Sequence, residues 1–385
     1  MAAHFDTILR DSDFWTPEQY VQADEFPGTE RVAFSEPVSV PNIHHLRWED
    51  RVWRPDDYAK LPTKTCHSPG YTLLDGVGLA SPGMALAADG RFIADAFTRL
   101  NPKRLSESLE RDLLSGPRGR AAWSAADESL DKGILIAGPG LMRFGHFLLD
   151  FLPGLAMLDQ HELFTDWPLL LPANAPDWVP AMIDVFSPKP RRIVARSRKI
   201  IRFSSRQQLT SRVGSVCVPW VVRQPAFHPS VAAIFRRIAE GAAAGDRGRR
   251  CESRVCIFRG KGDEKRRLLN TEDVESLFEA RGFLKVQPER LSFLDQVRLF
   301  AGAQITVGEA GSGLHGSVFA KPQTRTLELR PETYDVHGQS AIAVLMGHWF
   351  TSVKGEQAVA QRMSHAPWTL DVDAVEQRLD ELQAA

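Results

Sequence analysis

Short apolar runs alternate with longer stretches of helical periodicity along most of the chain after residue 133. Runs such as 169–171 and 254–258 have the length of buried strands, whereas 230–244 repeats apolar residues at the spacing of one helix face. Alternation of this kind predicts an α/β protein with parallel sheets and helices on both faces. The polar, glycine-containing segment 244–250 interrupts the pattern and predicts a boundary between two domains.

Residues 1–95 follow a different pattern, in which short β-prone runs are broken by turns and prolines. Asp89-Gly90 lies between two apolar runs and is typical of a hairpin turn. We therefore expect an irregular, β-rich lead-in before the α/β region. The predicted divisions are the lead-in at 1–95, a first α/β domain at 96–245, a second at 250–345, and a tail at 346–385 whose helix packs back on the first domain.

The most informative stretch is 304–331, which predicts one strand–loop–helix–strand unit. The strands are expected at 305–307 and 325–329, with a small-residue loop and a short helix at 314–320 between them. Backbone N–H groups that open a helix at the carboxyl end of a sheet suit a phosphate, and Glu328 is placed to accept hydrogen bonds from ribose hydroxyls. The stretch therefore predicts a nucleotide-diphosphate site. The loop residues expected at the nucleotide are Glu309, Gly311, Ser312, Gly313 and His315.

The same loop contains a literal G-x-G-x-x-G at Gly311, Gly313 and Gly316, so a dinucleotide site is an alternative. That fingerprint normally opens its domain and has an acidic residue about 20 positions further on. Here Glu328 lies 12 positions beyond Gly316, and too little regular α/β pattern is expected after Pro331 to complete a dinucleotide domain. A nicotinamide-dependent oxidoreductase is therefore the weaker interpretation, and a purely structural glycine turn also stays open.

A second informative stretch, 145–153, reads G-H-F-L-L-D-F-L-P. If it is helical, His146 and Asp150 are four residues apart and share one face, and Pro153 ends or kinks the helix soon afterwards. A carboxylate beside a histidine orients the ring and stabilises its charged form, so the pair is a workable general base. Asp150 itself is an alternative base, and a structural hydrogen bond is an alternative role for His146.

Basic residues cluster in two segments. The first follows the predicted strand 254–258, where its side chains would face the same sheet edge as the glycine loop and neutralise a departing diphosphate. A plain solvated loop is the alternative. Its members are Arg259, Lys261, Lys265, Arg266 and Arg267. The second segment, 189–206, holds eight basic residues and no acidic one. It suits an anionic membrane surface or an acidic acceptor, although a solvated face is the simpler interpretation.

Composition narrows the class of protein further. The 385 residues are 43% hydrophobic and 25% charged with a net charge of −1, so the whole chain has no general attraction to nucleic acid. The four cysteines form no C-x-x-C pair, and the sequence contains neither a secretory signal pattern nor an apolar run of 18 residues. We expect a cytoplasmic protein without a metal site.

Taken in order, these motifs resemble glycosyltransferase family 61 from about residue 133 to residue 331. Each motif alone is weak, whereas their order and spacing are fairly specific. The resemblance is carried by G-H-F-L-L-D-F-L-P at 145–153, the strand that ends in Arg259, R-x-L-x-N at 266–270, G-F at 282–283, L-x-x-x-x-Q at 291–296, the glycine loop, and L-E-L around Glu328.

The resemblance implies inverting transfer of a sugar from a nucleotide-diphosphate donor, with a UDP-sugar expected first, to a hydroxyl of a glycan or lipid-linked saccharide. It also implies the GT-B architecture of two Rossmann-like domains, and chemistry that needs no metal or other cofactor. A bacterial, cytoplasmic enzyme of polysaccharide synthesis fits best, because no membrane anchor is predicted. The matching residues are Arg259, Arg266, Gly311 and Gly313 for the donor, Glu328 for its ribose, and His146 or Asp150 for the base.

The loop departs from the family pattern G-P-H-G-A-G-L-T-N. A histidine is lost at Ala310, another appears at His315, and Glu309 adds a negative charge beside the expected phosphates. These departures keep a non-catalytic, nucleotide-sugar-binding homologue as the alternative to an enzyme.

Overall fold

The computed structural model divides the chain into two compact units, each assembled from two separate segments. Unit 1 comprises Met1–Glu36 and Ser68–Val221, and unit 2 comprises Pro37–His67 and Val222–Ala385. Both combine helices and strands, which confirms the predicted α/β class. The structure describes residues 20–22, 27–44, 46–80, 84–86, 92–94, 121–122, 129–136, 143–172, 175–187, 189, 191–196, 207–208, 211–221, 226–244, 253–259, 266–334, 336–357 and 366–385.

Unit 1 is built on one large sheet with the strand order β1-β7-β6-β5-β13-β9-β10-β11, and β2 pairs with β5. The neighbours β13, β9, β10 and β11 run parallel, whereas β5 is antiparallel to β13. Strands are numbered along the whole chain. Those of unit 1 are β1 (Tyr20–Gln22), β2 (Thr29–Ala33), β5 (Gly70–Ala80), β6 (Met84–Leu86), β7 (Phe92–Ala94), β8 (Ala121–Ala122), β9 (Ser129–Leu135), β10 (Leu169–Pro172), β11 (Ile193–Arg196), β12 (Gln207–Gln208) and β13 (Ser211–Trp220).

The predicted lead-in at 1–95 is not a separate region. β5 belongs to this segment, and it pairs with β13 from Ser211↔Leu79 to Trp220↔Gly70. The lead-in therefore supplies the half of the unit 1 sheet in which every pair except β1 with β7 is antiparallel. Residues 37–67 belong to unit 2 instead. Local patterns identify a strand but not a partner that lies more than 130 residues further along the chain. The predicted hairpin at Asp89-Gly90 lies outside the described residues.

The helices of unit 1 follow its parallel strands. They are α2 (Phe144–His146), a π-helical turn (Phe147–Phe151), α3 (Leu152–Gln160) and α4 (Trp178–Phe186). α3 is buried on every side from Leu152 to Asp159, as expected for a helix that is apolar all round and lies inside the unit. The ring of Phe147 packs against Trp178 of α4 with centroids 5.5 Å apart, which anchors the π-helical turn to the layer of helices.

Unit 2 has a six-stranded sheet with the order β15-β14-β16-β17-β18-β19. All of these pairs are parallel except β18 with β19. The strands of this sheet are β14 (Arg254–Ile257), β15 (Leu284–Val286), β16 (Ile305–Glu309), β17 (Arg325–Pro331), β18 (Trp349–Gln357) and β19 (Trp368–Thr369). Two further strands of unit 2, β3 (Val38–Pro41) and β4 (Thr63–Cys66), pair with each other in a separate sheet. The helices are α1 (Pro55–Tyr58), α5 (Ser230–Ala244), α6 (Thr271–Ala280), α7 (Phe293–Gly302), α8 (Gly338–Met346) and α9 (Val372–Ala384), with 3₁₀ turns at Pro288–Arg290 and Leu314–Phe319.

The predicted strand–loop–helix–strand unit is confirmed. β16 and β17 are parallel with Ile305 opposite Arg325, and the connection between them contains the glycine loop. The helical part is a 3₁₀ turn, Leu314–Phe319, whose six residues are all buried. A Cβ atom on Gly316 would come within 2.0 Å of the Phe300 ring. The last glycine of the G-x-G-x-x-G therefore serves close packing against α7.

The expectation that little α/β pattern follows Pro331 is wrong. α8 and β18 continue the sheet, and β18 is parallel to β17 over seven paired positions from Arg325↔Trp349 to Pro331↔Gly355. α8 lacked a clear sequence signal because most of its residues are buried, so apolar and polar positions do not alternate around it. β18 was missed because polar residues interrupt its apolar ones.

The C-terminal helix α9 packs within unit 2, although we predicted that it packs on the first domain. Val375, Leu379 and Leu382 are fully buried in the core beside the strand residues Leu327 and Leu329. On its outer side, Arg281 of unit 2 pairs with two acidic residues of α9. A helical pattern shows which face is apolar, but it does not name the surface that covers the face. Within the described residues, no helix is both long and apolar enough to cross a bilayer.

Segment 37–67 folds onto the sheet of unit 2. Trp48 is fully buried, with its ring edge-on to Phe350 of β18 at a centroid distance of 5.1 Å. The Tyr58 hydroxyl donates to the His348 carbonyl at 2.9 Å. This early part of the chain thus completes a core made mostly of residues beyond 250.

Candidate active site

The π-helical turn after α2 brings the predicted base residues together. His146 Nδ1 and Asp150 Oδ2 are 2.7 Å apart, and their side chains keep 42% and 24% of their surface exposed. Phe147, Leu148 and Leu149 are fully buried, so the helix turns its apolar side inward and this pair toward solvent. If Nδ1 donates to the carboxylate, the ring's Nε2 carries the lone pair that a general base needs.

Pro153 does not end this helix, which was one of the two outcomes that we predicted for it. The chain passes from the π-helical turn directly into α3, and Pro153 occupies the first turn of that helix. Proline is tolerated there because the N–H it lacks would have no helical acceptor. The π-helical turn lies immediately before α3, and Asp150 is part of it. Single π-helical turns of this kind are frequent at functional sites.

In unit 2, Arg259 follows β14 and is held against the glycine loop. Its backbone N–H donates to Glu309 Oε1 at 2.9 Å, and Nη2 donates to the Ala310 carbonyl at 2.8 Å. Its Nε lies 3.7 Å from Glu309 Oε2. A Cβ atom on Gly311, which has φ +148°, would lie 2.7 Å from Nη2. The loop therefore needs glycine here both for its backbone conformation and for the approach of the guanidinium.

Glu309 is 6% exposed at the end of β16. Burial raises the pKa of its carboxyl, while the Arg259 N–H and the charges of Arg259 and Arg266 act in the opposite direction. A buried carboxylate therefore lies inside the cluster of arginines that we expected to receive phosphates. On the loop that follows, Ser312 is exposed, whereas His315 is buried in the 3₁₀ turn.

Arg266 has a conformation that is uncommon for a residue other than glycine, with φ +62°. Its guanidinium carbon lies 5.2 Å from the centre of the Tyr334 ring. Its carbonyl accepts a hydrogen bond from Trp368 Nε1 at 2.9 Å. Asn270, from the same R-x-L-x-N motif, exchanges hydrogen bonds with the backbone of Leu370. The asparagine therefore ties the motif to the end of the sheet.

Glu328 lies inside β17, three residues before the strand ends, and is 2% exposed. Burial raises the pKa of its carboxyl to about 7, although Arg330 acts to lower it. Arg330 Nη1 is 3.7 Å from Glu328 Oε2, and both side chains are buried. This placement supports a role as the partner of Arg330. A contact with ribose stays a prediction.

The two basic segments are only partly described. Lys261 and Lys265 of the first segment lie outside the described residues, and Arg267 is exposed. In 189–206, Arg191 is not on the surface, since its side chain is 1% exposed and pairs with Asp159. Its guanidinium also donates to the carbonyl oxygens of two neighbouring loop residues. This arginine holds the fold of unit 1 together.

Sequence reasoning missed Arg330, Tyr334 and Trp368, which surround the expected donor residues. A signal for Arg330 was present, because residues two apart on a strand share one face and Glu328 was already a candidate. Tyr334 and Trp368 carried no such signal. They reach the site only because β19, which is antiparallel to β18, begins at the side of the sheet where β17 ends.

Residues 144–327 match the model of the family described as Glycosyltransferase 61. The match confirms the resemblance predicted from the motifs and supports a transferase enzyme. It covers His146, Asp150, Arg259, Arg266 and the glycine loop, and ends one residue before Glu328. No curated protein matches the chain. Among the described residues, no group of three or more His, Cys, Asp or Glu is arranged to hold a metal ion.

Proposed function

We propose that this protein is an inverting glycosyltransferase that moves a sugar from a nucleotide-diphosphate donor, first of all a UDP-sugar, to a hydroxyl of a glycan or lipid-linked saccharide. A GT-B arrangement and a role in polysaccharide synthesis are part of the proposal. One observation carries it. Arg259 contacts the glycine loop at the carboxyl end of one parallel sheet, and the charge of Arg266 acts on Glu309 at the same end, within the region that matches the transferase family.

The donor's diphosphate is assigned to unit 2. Guanidinium groups bind phosphate oxygens in a bidentate manner, and two of them neutralise the charge that grows on a departing diphosphate. This assignment lets the reaction proceed without a metal ion, because Arg259 and Arg266 supply the positive charge. Ser312, which is exposed on the loop, adds a hydroxyl that can donate to the same oxygens.

The base is assigned to the His146–Asp150 pair. The acceptor's O–H proton passes to the imidazole Nε2 as the oxygen attacks the anomeric carbon. The bond from that carbon to the diphosphate oxygen breaks, and the electron pair leaves with the diphosphate, so the configuration inverts. Asp150 stabilises the charged imidazole at 2.7 Å. Direct deprotonation by Asp150 remains the alternative.

A thermal-shift panel of UDP, GDP, CMP, dTDP and NADH without added metal tests the donor. We expect one nucleoside diphosphate to raise the melting temperature of the wild type, and Arg266→Gln to lose most of that shift. Stabilisation by NADH alone would contradict the proposal in favour of an oxidoreductase. No shift with any of the five ligands would contradict a nucleotide-diphosphate donor.

The second candidate function is a non-catalytic homologue that binds a nucleotide sugar. Glu309 favours it, because this buried carboxylate already engages the backbone and guanidinium of Arg259. Both candidates predict nucleotide binding, so the rate of nucleotide release from the donor distinguishes them. Release that exceeds the uncatalysed rate and depends on an acceptor supports the enzyme. Binding without any release supports the non-catalytic homologue.

Cytoplasmic action and contact of 189–206 with an anionic membrane surface are further parts of the proposal. The remaining arginines and lysines of that segment would supply the charge, since Arg191 is buried. Flotation with vesicles that contain phosphatidylserine tests the contact. We expect binding that weakens as salt rises. Equal recovery with neutral vesicles would argue against it.

A further inference from the structure

The backbone of Arg266 is fixed in an unfavourable conformation by a specific partner. Its φ of +62° lies in the left-handed region, which costs free energy because the Cβ atom crowds the following carbonyl oxygen. Trp368 offsets that cost, because its Nε1–H donates to the Arg266 carbonyl at 2.9 Å and its backbone N–H donates to the Arg267 carbonyl at 3.0 Å. Trp368 is itself 1% exposed within the core of unit 2, so the anchor is rigid.

The guanidinium of Arg266 is held by a second partner from another element. Tyr334 follows β17, is 8% exposed, and is fixed by its own N–H, which donates to the Pro331 carbonyl at 2.9 Å. Its ring lies 5.2 Å from the guanidinium carbon, and its hydroxyl oxygen accepts a hydrogen bond from the Arg266 guanidinium. Rotation of the arginine is therefore restricted at both ends of the side chain.

Arg266 keeps capacity for a ligand in spite of these contacts. Its Nε is buried, and no described residue accepts a hydrogen bond from it. A guanidinium carries five N–H donors in its plane. An aromatic ring that faces the guanidinium leaves the donors along its edge available to an acceptor. Arg266 as a whole is only partly buried, so a phosphate oxygen is the kind of acceptor that its accessible N–H groups would bind.

We propose that Tyr334 and Trp368 are positioning residues that hold Arg266 ready for the donor's diphosphate. The inference rests on the proposed function of Arg266. A free arginine side chain loses much of its rotamer entropy when it binds a ligand. Here folding has already restricted the side chain, so the diphosphate meets an arginine that needs little further ordering.

Titration of purified variants with UDP tests the proposal. Tyr334→Leu removes the ring face and the hydroxyl, and we expect it to weaken UDP binding about 10-fold. Tyr334→Phe keeps the ring face and should weaken binding only about 3-fold. Trp368→Phe keeps most of the packing but removes the Nε1 donor, and about 3-fold is again expected. In an Arg266→Gln background, Tyr334→Leu should change UDP binding by less than about 2-fold, because the two residues act through one arginine.

Tyr58→Phe is the matched control. Tyr58 is a second buried tyrosine of unit 2 whose hydroxyl makes a hydrogen bond, but it does not contact Arg266. Tyr58→Phe should lower the melting temperature about as much as Tyr334→Phe and leave UDP binding unchanged. Folded Tyr334→Leu protein that binds UDP as tightly as the wild type would overturn the proposal, as would equal losses in both tyrosine-to-phenylalanine variants.

A measurement without ligand separates this inference from the proposed function. The Nε–H signal of Arg266 in a nitrogen-15 NMR spectrum, assigned by its loss in Arg266→Gln, should shift and exchange faster in Tyr334→Leu. If the wild type binds no UDP, the proposed role of Arg266 at the diphosphate is wrong. The NMR signal alone then tests whether Tyr334 and Trp368 position Arg266. A signal that is unchanged in Tyr334→Leu and in Trp368→Phe would overturn it.

Discussion

The two charged sites of this protein are built in opposite ways. In unit 1, His146 and Asp150 remain partly exposed, and buried side chains between them anchor the helix. In unit 2, Glu309 and Glu328 are almost fully buried, and each faces an arginine at 3.7 Å. The first site keeps its charged groups available to an incoming molecule. The second uses part of its charge to hold its own structure.

This difference separates function from stability in a testable way. Charges at the surface contribute little to folding, so changes in the unit 1 pair should alter chemistry alone. Buried charges are sensitive to the loss of a partner, so changes in unit 2 should alter both binding and folding. The following substitutions test this contrast and the packing beside the second site, in decreasing order of expected effect.

His146→Ala should reduce transfer from the donor that the nucleotide panel selects by about 10²- to 10⁴-fold. A positioned general base contributes this much, and its removal from a partly exposed site leaves the core intact. Asp150→Asn should lower the rate as well, since it removes the charge that stabilises the imidazolium. Rates are measured as acceptor-dependent nucleotide release, with thermal melting as the check on folding. Near-normal rates in both variants would exclude this pair as the base.

Gly316→Ala should destabilise the protein by roughly 3 kcal/mol. The new Cβ atom would come within 2.0 Å of the Phe300 ring, in a region without free space. Gly241→Ala is the matched control, because a Cβ there meets nothing within 4 Å, in the last turn of α5. The control should gain about 0.5–1 kcal/mol from helix propensity. Urea denaturation measures both, and equal stability of the two variants would contradict the packing seen at the glycine loop.

Glu328→Gln should change how stability depends on pH. The pKa of this carboxyl in the folded protein is raised to about 7 from an ordinary 4.5. Between pH 4.5 and pH 7 the native state therefore binds more protons than the unfolded state. The stability that this group contributes is fully present below pH 4.5 and is lost as pH rises toward 7. Between pH 5 and 7 the wild type should lose about 2 kcal/mol relative to the variant.

The control for this pH effect is Glu332→Gln, which changes an exposed glutamate just beyond the same strand. It tests whether the loss of any carboxyl near this strand produces the same change. Urea denaturation at a series of pH values gives the free energy of unfolding for all three proteins. Parallel curves for the wild type and Glu328→Gln would show that the buried carboxyl does not titrate in this range.

Glu309→Gln should tighten UDP binding about 5-fold at pH 8, because it removes a negative charge near the expected phosphates. An amide oxygen can still accept the Arg259 N–H bond, so the loop should persist. Burial raises the pKa of the Glu309 carboxyl, so part of the wild type is neutral in acid and the advantage of the variant should shrink toward pH 5. The groups facing this carboxyl are Arg259, Arg266 and Glu275.

Titration with UDP at pH 5 and pH 8 measures this effect. At each pH the affinity of Glu309→Gln is divided by the affinity of the wild type, so the protonation of UDP itself does not affect the ratio. Weaker binding by Glu309→Gln at pH 8 would mean that the carboxylate is needed to hold Arg259. That outcome would show that the acidic residue organises the donor site.

Strong periodicity was enough to predict many elements. The helix expected at 230–244 is α5, Ser230–Ala244, and the pair β16 and β17 was expected with its glycine loop. His146 and Asp150 were predicted to meet because both lie within two turns of one helix. In each case the signal and the structure that it produces are close together along the chain.

What escaped prediction depends on distant parts of the chain. The pairing of β5 with β13 and the contact of Trp368 with Arg266 join residues that no local pattern relates. The π-helical turn was missed because the sequence shows the proline but not how the helix adjusts before it. The burial of Glu328 follows from its neighbours in the sheet, and a strand ending at 329 would have left it nearer the edge.

The placement of residues 37–67 in unit 2 has a consequence for the growing polypeptide on the ribosome. The acceptor of the Tyr58 hydroxyl is a carbonyl 290 residues further along the chain. At about 5–20 residues per second, the ribosome needs roughly 15–60 s to synthesise that stretch. During that time Trp48, which is fully buried in the finished protein, has no β18 to cover it. The segment is therefore a natural client for chaperones during synthesis, and slower elongation would prolong that dependence.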